Sequence, residues 1–137
     1  MESITLYCKS YREDLDRVAV LAESVRRFNR DSLPFCISVP GNDLNLFRSR
    51  LGTGEIQWLR DEDIIESNGT VPQEKYASLP GQLSQQIVKA EFWRVNSLPS
   101  YLCVDSDSFF IREFRRADFM SSDDVPYTVM HEGKAFC

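Results

Sequence analysis

Segments rich in β-branched and aromatic residues alternate along this chain with segments whose apolar residues recur at helical spacing. The strand-like pattern occupies residues 4–8, 34–40, 55–59, 101–104 and 127–130. The helical pattern occupies residues 10–29, 44–51 and 82–96, and a loop is predicted over residues 67–73. Because strands and helices alternate, the pattern predicts the α/β class, with a Rossmann-like, mainly parallel sheet and flanking helices.

Two details of this pattern make local predictions. Ser10 and Glu13 have the spacing of a capping box, which predicts that the first helix begins there. Residues 101–104 form a continuous apolar run, Tyr-Leu-Cys-Val, and such a run is typical of a fully buried parallel strand. The cysteines Cys8, Cys36 and Cys103 lie in strand-like segments without C-x-x-C spacing, so we expect reduced, buried thiols.

Length and charge exclude some classes of protein. The chain has 137 residues, the size of one ordinary domain, and its 16 Lys and Arg against 21 Asp and Glu give a net charge of -5. An acidic chain has no general attraction for nucleic acid, so we expect no nucleic-acid partner. No apolar run approaches the roughly 20 residues that span a bilayer, and the first residues lack the pattern of a secretory signal. We therefore expect no transmembrane segment and a cytoplasmic location.

Candidate chemistry lies where the predicted strands end. In open parallel sheets, ligands bind at the carboxyl ends of the strands. The turn at residues 9–11 follows the first strand, and Asp105 and Asp107 follow the apolar run at 101–104. Positions i and i+2 of an extended segment point to the same side, so both carboxylates can face one cation, for which Mg²⁺ or Mn²⁺ is the natural choice. The alternative is a pair of solvent-facing turn residues.

Residues 101–110, which contain this Asp-x-Asp motif, resemble the DxD strand of the GT-A glycosyltransferases. The opening strand with residues 9–11 and Asp14, and the helix carrying Gln85, Gln86 and Lys89, strengthen the resemblance. Together they are also similar to a bacterial family of GT-A-like proteins of poorly defined function. The resemblance implies a GT-A fold and an enzyme that transfers a sugar from a nucleotide-diphosphate donor, with Mn²⁺ or Mg²⁺, to an unknown glycan or small-molecule acceptor.

The resemblance also implies roles for individual residues. Asp107 would be the main metal ligand, and Asp105 would contact the metal or the ribose, with Ser106 between them. The implied donor-binding residues are Ser10, Tyr11 and Asp14 at the base and ribose, Lys89 at the phosphates, and Gln85 or Gln86 at backbone groups or the sugar. The ordinary alternatives remain open: Tyr11 as a surface ring, Lys89 as a solvated lysine, and a plain helix surface at the glutamines.

The length of the chain limits what the resemblance implies. A GT-A catalytic domain continues well beyond its DxD strand, so we expect residues 1–137 to be a single donor-binding domain truncated at its C-terminus, and we assign no catalytic base. Such a half-domain, with an exposed sheet edge, is expected to pair with another copy or a partner chain.

Two other functions compete with the glycosyltransferase. One is a non-catalytic binding or assembly module that keeps the nucleotide-sugar fold. The other is a phosphohydrolase of the haloacid-dehalogenase type. We rank the phosphohydrolase low, because its Asp pair normally follows the first strand, whereas here the pair follows the fourth predicted strand and continues into Ser108 and Phe109.

Overall fold

The computed structural model describes residues 4–69, 73–122 and 125–127. Its strands are β1 (Ile4–Lys9), β2 (Phe35–Val39), β3 (Ile56–Arg60) and β4 (Ser100–Cys103). Its α-helices are α1 (Leu15–Phe28), α2 (Leu44–Leu51), α3 (Asp61–Glu66), α4 (Gln73–Ala77) and α5 (Gly81–Glu91). All strand pairs are parallel, in the order β3–β2–β1–β4. The predicted α/β class, with a parallel Rossmann-like sheet and flanking helices, is confirmed.

One face of the sheet packs against α1 and α2. Alternate residues of a strand point to the same face, so Leu6 and Cys8 of β1 lie beside Ile37 and Val39 of β2. The apolar side of the two helices closes this core with Val18, Leu21, Val25 and Phe47. The α2 helix ends at Leu51 because Gly52 adopts a φ of 82°, a backbone conformation that glycine enters without steric cost.

The opposite face packs against α3 and α5. The ring of Tyr7 stacks on Phe92 with 3.7 Å between centroids, and Tyr101 meets Phe92 edge-on at 4.8 Å. Ile64 and Val88 complete this second core from the two helices. The consequence for function is that α3 and α5 are held beside the carboxyl end of β1, where their residues can reach a ligand.

The fourth strand is less buried than its sequence predicts. β4 lies at the edge of the described sheet, paired with β1 alone, and Tyr101 and Leu102 are half-buried. The prediction of a fully buried strand is therefore wrong, because the described elements leave one side of β4 uncovered. Cys8 and Cys36 are buried as predicted, but Cys103 is exposed for the same reason.

The predicted capping box does not form. Residues Arg12–Asp14 make a 3-10 turn and α1 begins only at Leu15. The carboxylate that binds the Arg12 N–H, at 2.9 Å, belongs to Asp43, which also accepts from the Arg12 side chain at 2.8 Å. Glu13 instead accepts a hydrogen bond from the Tyr11 hydroxyl. A carboxylate from the loop after β2 thus fixes the loop after β1.

The segment after β4 runs back along α1. Phe114 donates its N–H to the carbonyl of Phe28, and its ring stacks on Phe110 at 4.0 Å. The strand predicted over residues 127–130 falls mostly on residues 128–130, which lie outside the described residues. No helix in the described part of the chain is long and apolar enough to cross a membrane.

Candidate functional site

The two segments that carry the candidate chemistry meet at the carboxyl ends of β1 and β4. Because β1 and β4 are parallel neighbours, the turn after each strand emerges at the same edge of the sheet. The hydroxyl of Ser106 lies 3.1 Å from that of Ser10 and 3.2 Å from the carbonyl oxygen of Lys9. Ser106, between the two aspartates, therefore ties the DxD segment to the end of β1.

The DxD segment is a turn rather than the extended segment that the sequence suggests. The Ser108 N–H donates to the Asp105 carbonyl at 3.0 Å, which closes the turn. The prediction that Asp105 and Asp107 lie at positions i and i+2 of an extended segment is therefore wrong. Asp105 and Asp107 nevertheless line the same cleft.

This cleft, which we call the DxD cleft, has a volume of about 290 Å³. Its lining residues are Lys9, Asp14, Arg17, Gln85, Lys89, Asp105, Ser106 and Asp107. Six of the residues predicted from the sequence thus come together here, from the turn after β1, α5 and the DxD turn. The walls are almost wholly polar and carry three cationic and three acidic side chains.

Ion pairs occupy most of the charges in the DxD cleft. Arg17 lies 2.7 Å from Asp14, and Lys89 lies 3.8 Å from Asp105. Asp107 makes no ion pair with any other residue that the structure describes. Because Asp107 is exposed and has no ion-pair partner among the described residues, it is the carboxylate of this cleft that a cation can bind without displacing a side chain.

A second cavity of about 440 Å³ adjoins the first, and we call it the tyrosine pocket. Its lining residues are Lys9, Tyr11, Pro40, Asp61, Tyr76, Gly81, Ser84 and Gln85. The two cavities share Lys9 and Gln85. Ser10 is buried between β1 and the DxD turn, whereas Gln86 is exposed on α5 and lines neither cavity. Of the two glutamines, Gln85 is thus the one that lines these cavities.

A buried ion pair lies under both cavities. The Lys9 ammonium is 2.9 Å from the Asp61 carboxylate, and each side chain is only 2% exposed. Lys9 also donates to the carbonyl of Ser10. The second carboxylate oxygen of Asp61, Oδ1, is buried without a hydrogen-bond partner among the described residues. This pair joins the end of β1 to the first residue of α3.

The comparisons with known proteins identify the family and nothing finer. Residues 3–137 match DUF6492, a family of unknown function. The chain belongs to this family. No curated protein and no solved structure matches it.

Burial shapes the acidity of Asp61 in this DUF6492 chain. Desolvation raises the pKa of its carboxyl group from 3.8 to about 6, against the smaller opposing effects of the Lys9 ammonium and the Ser38 hydroxyl. The nearby phenols do not titrate in this range, because burial raises the pKa of Tyr7 and raises that of Tyr76 to about 12. Asp61 is therefore ionised near neutral pH, but at a cost to the folded state.

This cost predicts a pH dependence of stability. Between the ordinary pKa and the raised one, the folded state keeps a proton that the unfolded state releases, so rising pH favours unfolding. From about pH 3 to about pH 8 we expect the wild type to lose about 3 kcal/mol relative to Asp61→Asn, which does not titrate, with most of the loss between about pH 4 and about pH 6. Urea denaturation of both proteins across this range measures the difference. Asp63→Asn, at an exposed position of α3, is the control, and a constant difference for Asp61→Asn would contradict the prediction.

The donor atoms of the DxD cleft fit a divalent cation only in part. Within the described ranges, no group of three or more His, Cys, Asp or Glu side chains is arranged to hold an ion. Two carboxylates, Asp105 and Asp107, nevertheless suit Mg²⁺ or Mn²⁺, since such ions are often held by one or two carboxylates together with substrate phosphates and water. The residues present thus fit an ion that is bound jointly with a phosphorylated ligand.

Several residues of this DUF6492 site were not assigned from the sequence. Lys9 is the last residue of β1, and Asp61 directly follows β3. A position at the carboxyl end of a strand is the signal that could have marked both residues. Tyr76 belongs to α4, which begins at the last residue of the predicted loop and continues through a segment for which the sequence pattern predicts no element. Arg17 lies in the first turn of α1, and nothing but its charge marks it in the sequence.

Proposed function

We propose that the chain binds a nucleotide diphosphate, as the donor-binding part of a metal-dependent glycosyltransferase. The observation that carries this proposal is the junction of two unlike cavities at Lys9 and Gln85. One is charged and contains the two DxD carboxylates. The other includes two tyrosines and a proline, Tyr11, Tyr76 and Pro40, among its lining residues. A nucleotide diphosphate suits this pair, because its diphosphate can bind a cation together with the DxD carboxylates and its base is flat and largely apolar.

The resemblance to GT-A enzymes supports the same orientation of the ligand. The base would lie in the tyrosine pocket, beside Tyr11 and Tyr76, where stacking on an aromatic ring would supply affinity. The diphosphate would lie in the DxD cleft, beside Lys89. A divalent cation on Asp105 and Asp107, when bound, would neutralise charge that develops on the leaving diphosphate.

Lys89 has a specific part in this proposal. Its ammonium lies 3.8 Å from Asp105, too far for a tight hydrogen bond, and its side chain is about one-third exposed. The hydroxyl of Tyr101 donates to the Lys89 carbonyl at 3.2 Å and ties this turn of α5 to β4. A cation on the DxD carboxylates would compete for Asp105 and leave Lys89 available to a phosphate oxygen.

Calorimetric titration with UDP, GDP, CDP and ADP, each with and without Mn²⁺, tests the proposal. We expect at least one nucleotide to bind, and to bind about tenfold or more tightly with Mn²⁺, because the ion bridges protein and phosphates. The matching nucleosides, which lack phosphate, should show no effect of Mn²⁺. Absence of nucleotide binding by a folded protein would overturn the proposal. Binding without donor hydrolysis or transfer would leave the non-catalytic module as the function.

A further inference from the structure

The DxD turn, residues 105–108, is joined to the rest of the described chain mainly through one side chain. At its two ends, the Val104 N–H donates to β1 and the Phe110 N–H donates to α1. Between these ends, every hydrogen bond from the turn to another described part of the chain involves the Ser106 hydroxyl. The positions of the Asp105 and Asp107 carboxylates therefore depend on this hydroxyl.

Ser106 binds the end of β1, where Ser10 is held by all of its polar groups. The Ser10 N–H donates to the Ser38 carbonyl at 2.9 Å, and the Ser10 carbonyl accepts from the Lys9 ammonium. That ammonium is held in turn by the Asp61 carboxylate at 2.9 Å. Ser10 itself is only 1% exposed. The buried ion pair thus gives the DxD turn a rigid support.

Two contacts join the Ser106 hydroxyl to this support. Its oxygen lies 3.1 Å from the Ser10 hydroxyl and 3.2 Å from the Lys9 carbonyl oxygen. A hydroxyl can donate one hydrogen and also accept at its lone pairs, so both contacts can form together. Substitution of Ser106 by alanine removes both contacts with the loss of one oxygen atom, and leaves the backbone of the turn unchanged.

The ion pair between Lys89 and Asp105 is a weaker constraint on the turn. Its atoms are 3.8 Å apart and both side chains reach solvent, and such a pair contributes little to fixing a conformation. Asp107 has no ion-pair partner among the described residues. Without the contacts of Ser106, the two carboxylates would therefore have to be ordered by the ligand itself.

We infer that Ser106 is a positioning residue, whose hydroxyl holds the DxD turn against the end of β1 so that Asp105 and Asp107 face the cleft before a cation binds. The inference rests on the proposed function, since it assigns the cation to these carboxylates. Ligands that are already in place lose less conformational freedom when the ion binds, so the affinity is higher. Ser106 acts in this way through its contacts with the protein, without touching the ion.

Calorimetric titration of Ser106→Ala with UDP, GDP, CDP and ADP, with and without Mn²⁺, tests the inference. For the nucleotide that the wild type prefers, we expect binding in Mn²⁺ to weaken about tenfold, as for a residue that orients a metal ligand, and binding without Mn²⁺ to change less than about twofold. A residue that only stabilises the fold would not alter the effect of Mn²⁺. Ser108→Ala, at an exposed position of the same turn, is the matched control and should bind as the wild type does.

Ser10→Ala distinguishes positioning from direct contact with the ligand. Ser106 lines the DxD cleft and could touch a ligand, whereas Ser10 is buried and lines neither cavity. We expect Ser10→Ala to weaken binding in Mn²⁺ by about threefold, since Ser106 keeps its contact with the Lys9 carbonyl. The double variant should lose about tenfold, no more than Ser106→Ala alone, because both substitutions break the same contact.

The failures of the two proposals are distinguishable. If no nucleotide binds the folded wild type, the proposed function is overturned, and the role of Ser106 with it. If the wild type binds a nucleotide in Mn²⁺ and Ser106→Ala binds it equally well, or loses the same factor without Mn²⁺, the positioning role is overturned and the proposed function stands. If Ser10→Ala changes nothing while Ser106→Ala does, Ser106 contacts the ligand directly, and the positioning role is again overturned.

Discussion

Lys9→Met is expected to lower the free energy of unfolding by about 3–5 kcal/mol near pH 8, the cost of leaving a buried charge without its partner. Lys9 and Asp61 are each 2% exposed and lie 2.9 Å apart, so water cannot replace the missing ammonium. The carboxylate that remains would be surrounded by the second core and the tyrosine pocket. The substitution also removes a donor to the Ser10 carbonyl, which adds to the loss.

The cost of Lys9→Met should depend on pH in a defined direction. Burial already raises the pKa of Asp61 to about 6 with the ammonium present, and its removal would raise the pKa further. A raised carboxyl pKa means that stability falls as pH rises through the interval between the unfolded and folded values. We therefore expect the variant to be closest to the wild type at about pH 5, where Asp61 is mostly protonated, and furthest from it near pH 8.

A second substitution tests whether the uncompensated charge is the cause. Asp61→Asn in the Lys9→Met background removes that charge and should restore most of the lost stability, measured by urea denaturation at both pH values. Arg17→Met serves as the control, because its ion pair with Asp14 is 65% exposed on the arginine side and should contribute less than about 1 kcal/mol. Additive effects of Lys9→Met and Asp61→Asn would contradict the prediction.

The α/β class of the fold follows from local patterns in the sequence, but the environment of its last strand does not. Alternating strand and helix patterns predict the parallel sheet, because each pattern reports which side of its own element is apolar. Burial of residues 101–104 depends instead on what lies beside β4. The apolar run is the same whether a neighbour covers the strand or not, so no local pattern could predict that Cys103 is exposed.

The start of α1 shows how a distant residue overrides a local motif. Ser10 and Glu13 have capping-box spacing, yet the Arg12 N–H is bound by Asp43, 31 residues along the chain. The two loops are brought together because β1 and β2 are parallel neighbours, a fact of topology rather than of local sequence. The same reasoning explains why α1 begins at Leu15, after a 3-10 turn.

The candidate site was predictable where a residue follows a strand and unpredictable where it depends on pairing between elements. Lys89, Asp105 and Ser106 line one cleft as the DxD resemblance implies. The buried pair of Lys9 and Asp61 arises because β1 and β3 flank β2, which places both strand ends over the same helix pair. Strand order is not encoded in any one segment, so the sequence marks these residues only as strand-end positions.

Asp107→Ala is expected to weaken the binding of the preferred nucleotide in Mn²⁺ by about 100-fold. Substitution of a residue that only hydrogen-bonds a metal ligand typically costs about 10–100-fold in metal affinity, and Asp107 would be a ligand itself. Asp107 is the acidic residue of the DxD cleft without an ion pair among the described residues, so its carboxylate can bind a cation without losing another partner. Binding measured without Mn²⁺ should change little. The effect is thus a loss of metal dependence rather than a general loss of affinity.

Asp105→Ala should have a smaller effect than Asp107→Ala. Asp105 shares its charge with Lys89 at 3.8 Å, and its removal leaves that ammonium free to approach the diphosphate. The loss of a metal ligand is therefore partly offset by a stronger phosphate contact. A larger effect at Asp105 than at Asp107 would reverse the assigned roles and make Asp105 the main metal ligand.

The fold should tolerate Asp107→Ala, which makes the binding measurement interpretable. Asp107 is exposed, whereas Ser106, which ties the turn to the end of β1 through Ser10 and the Lys9 carbonyl, is untouched. Asp16→Ala is the matched control, because that carboxylate is 88% exposed and pairs with Arg50, away from the cleft. Retention of Mn²⁺-dependent binding by Asp107→Ala would show that the ion is held elsewhere. Loss in Asp16→Ala as well would mean that the acidic surface as a whole, rather than a site, attracts the ion.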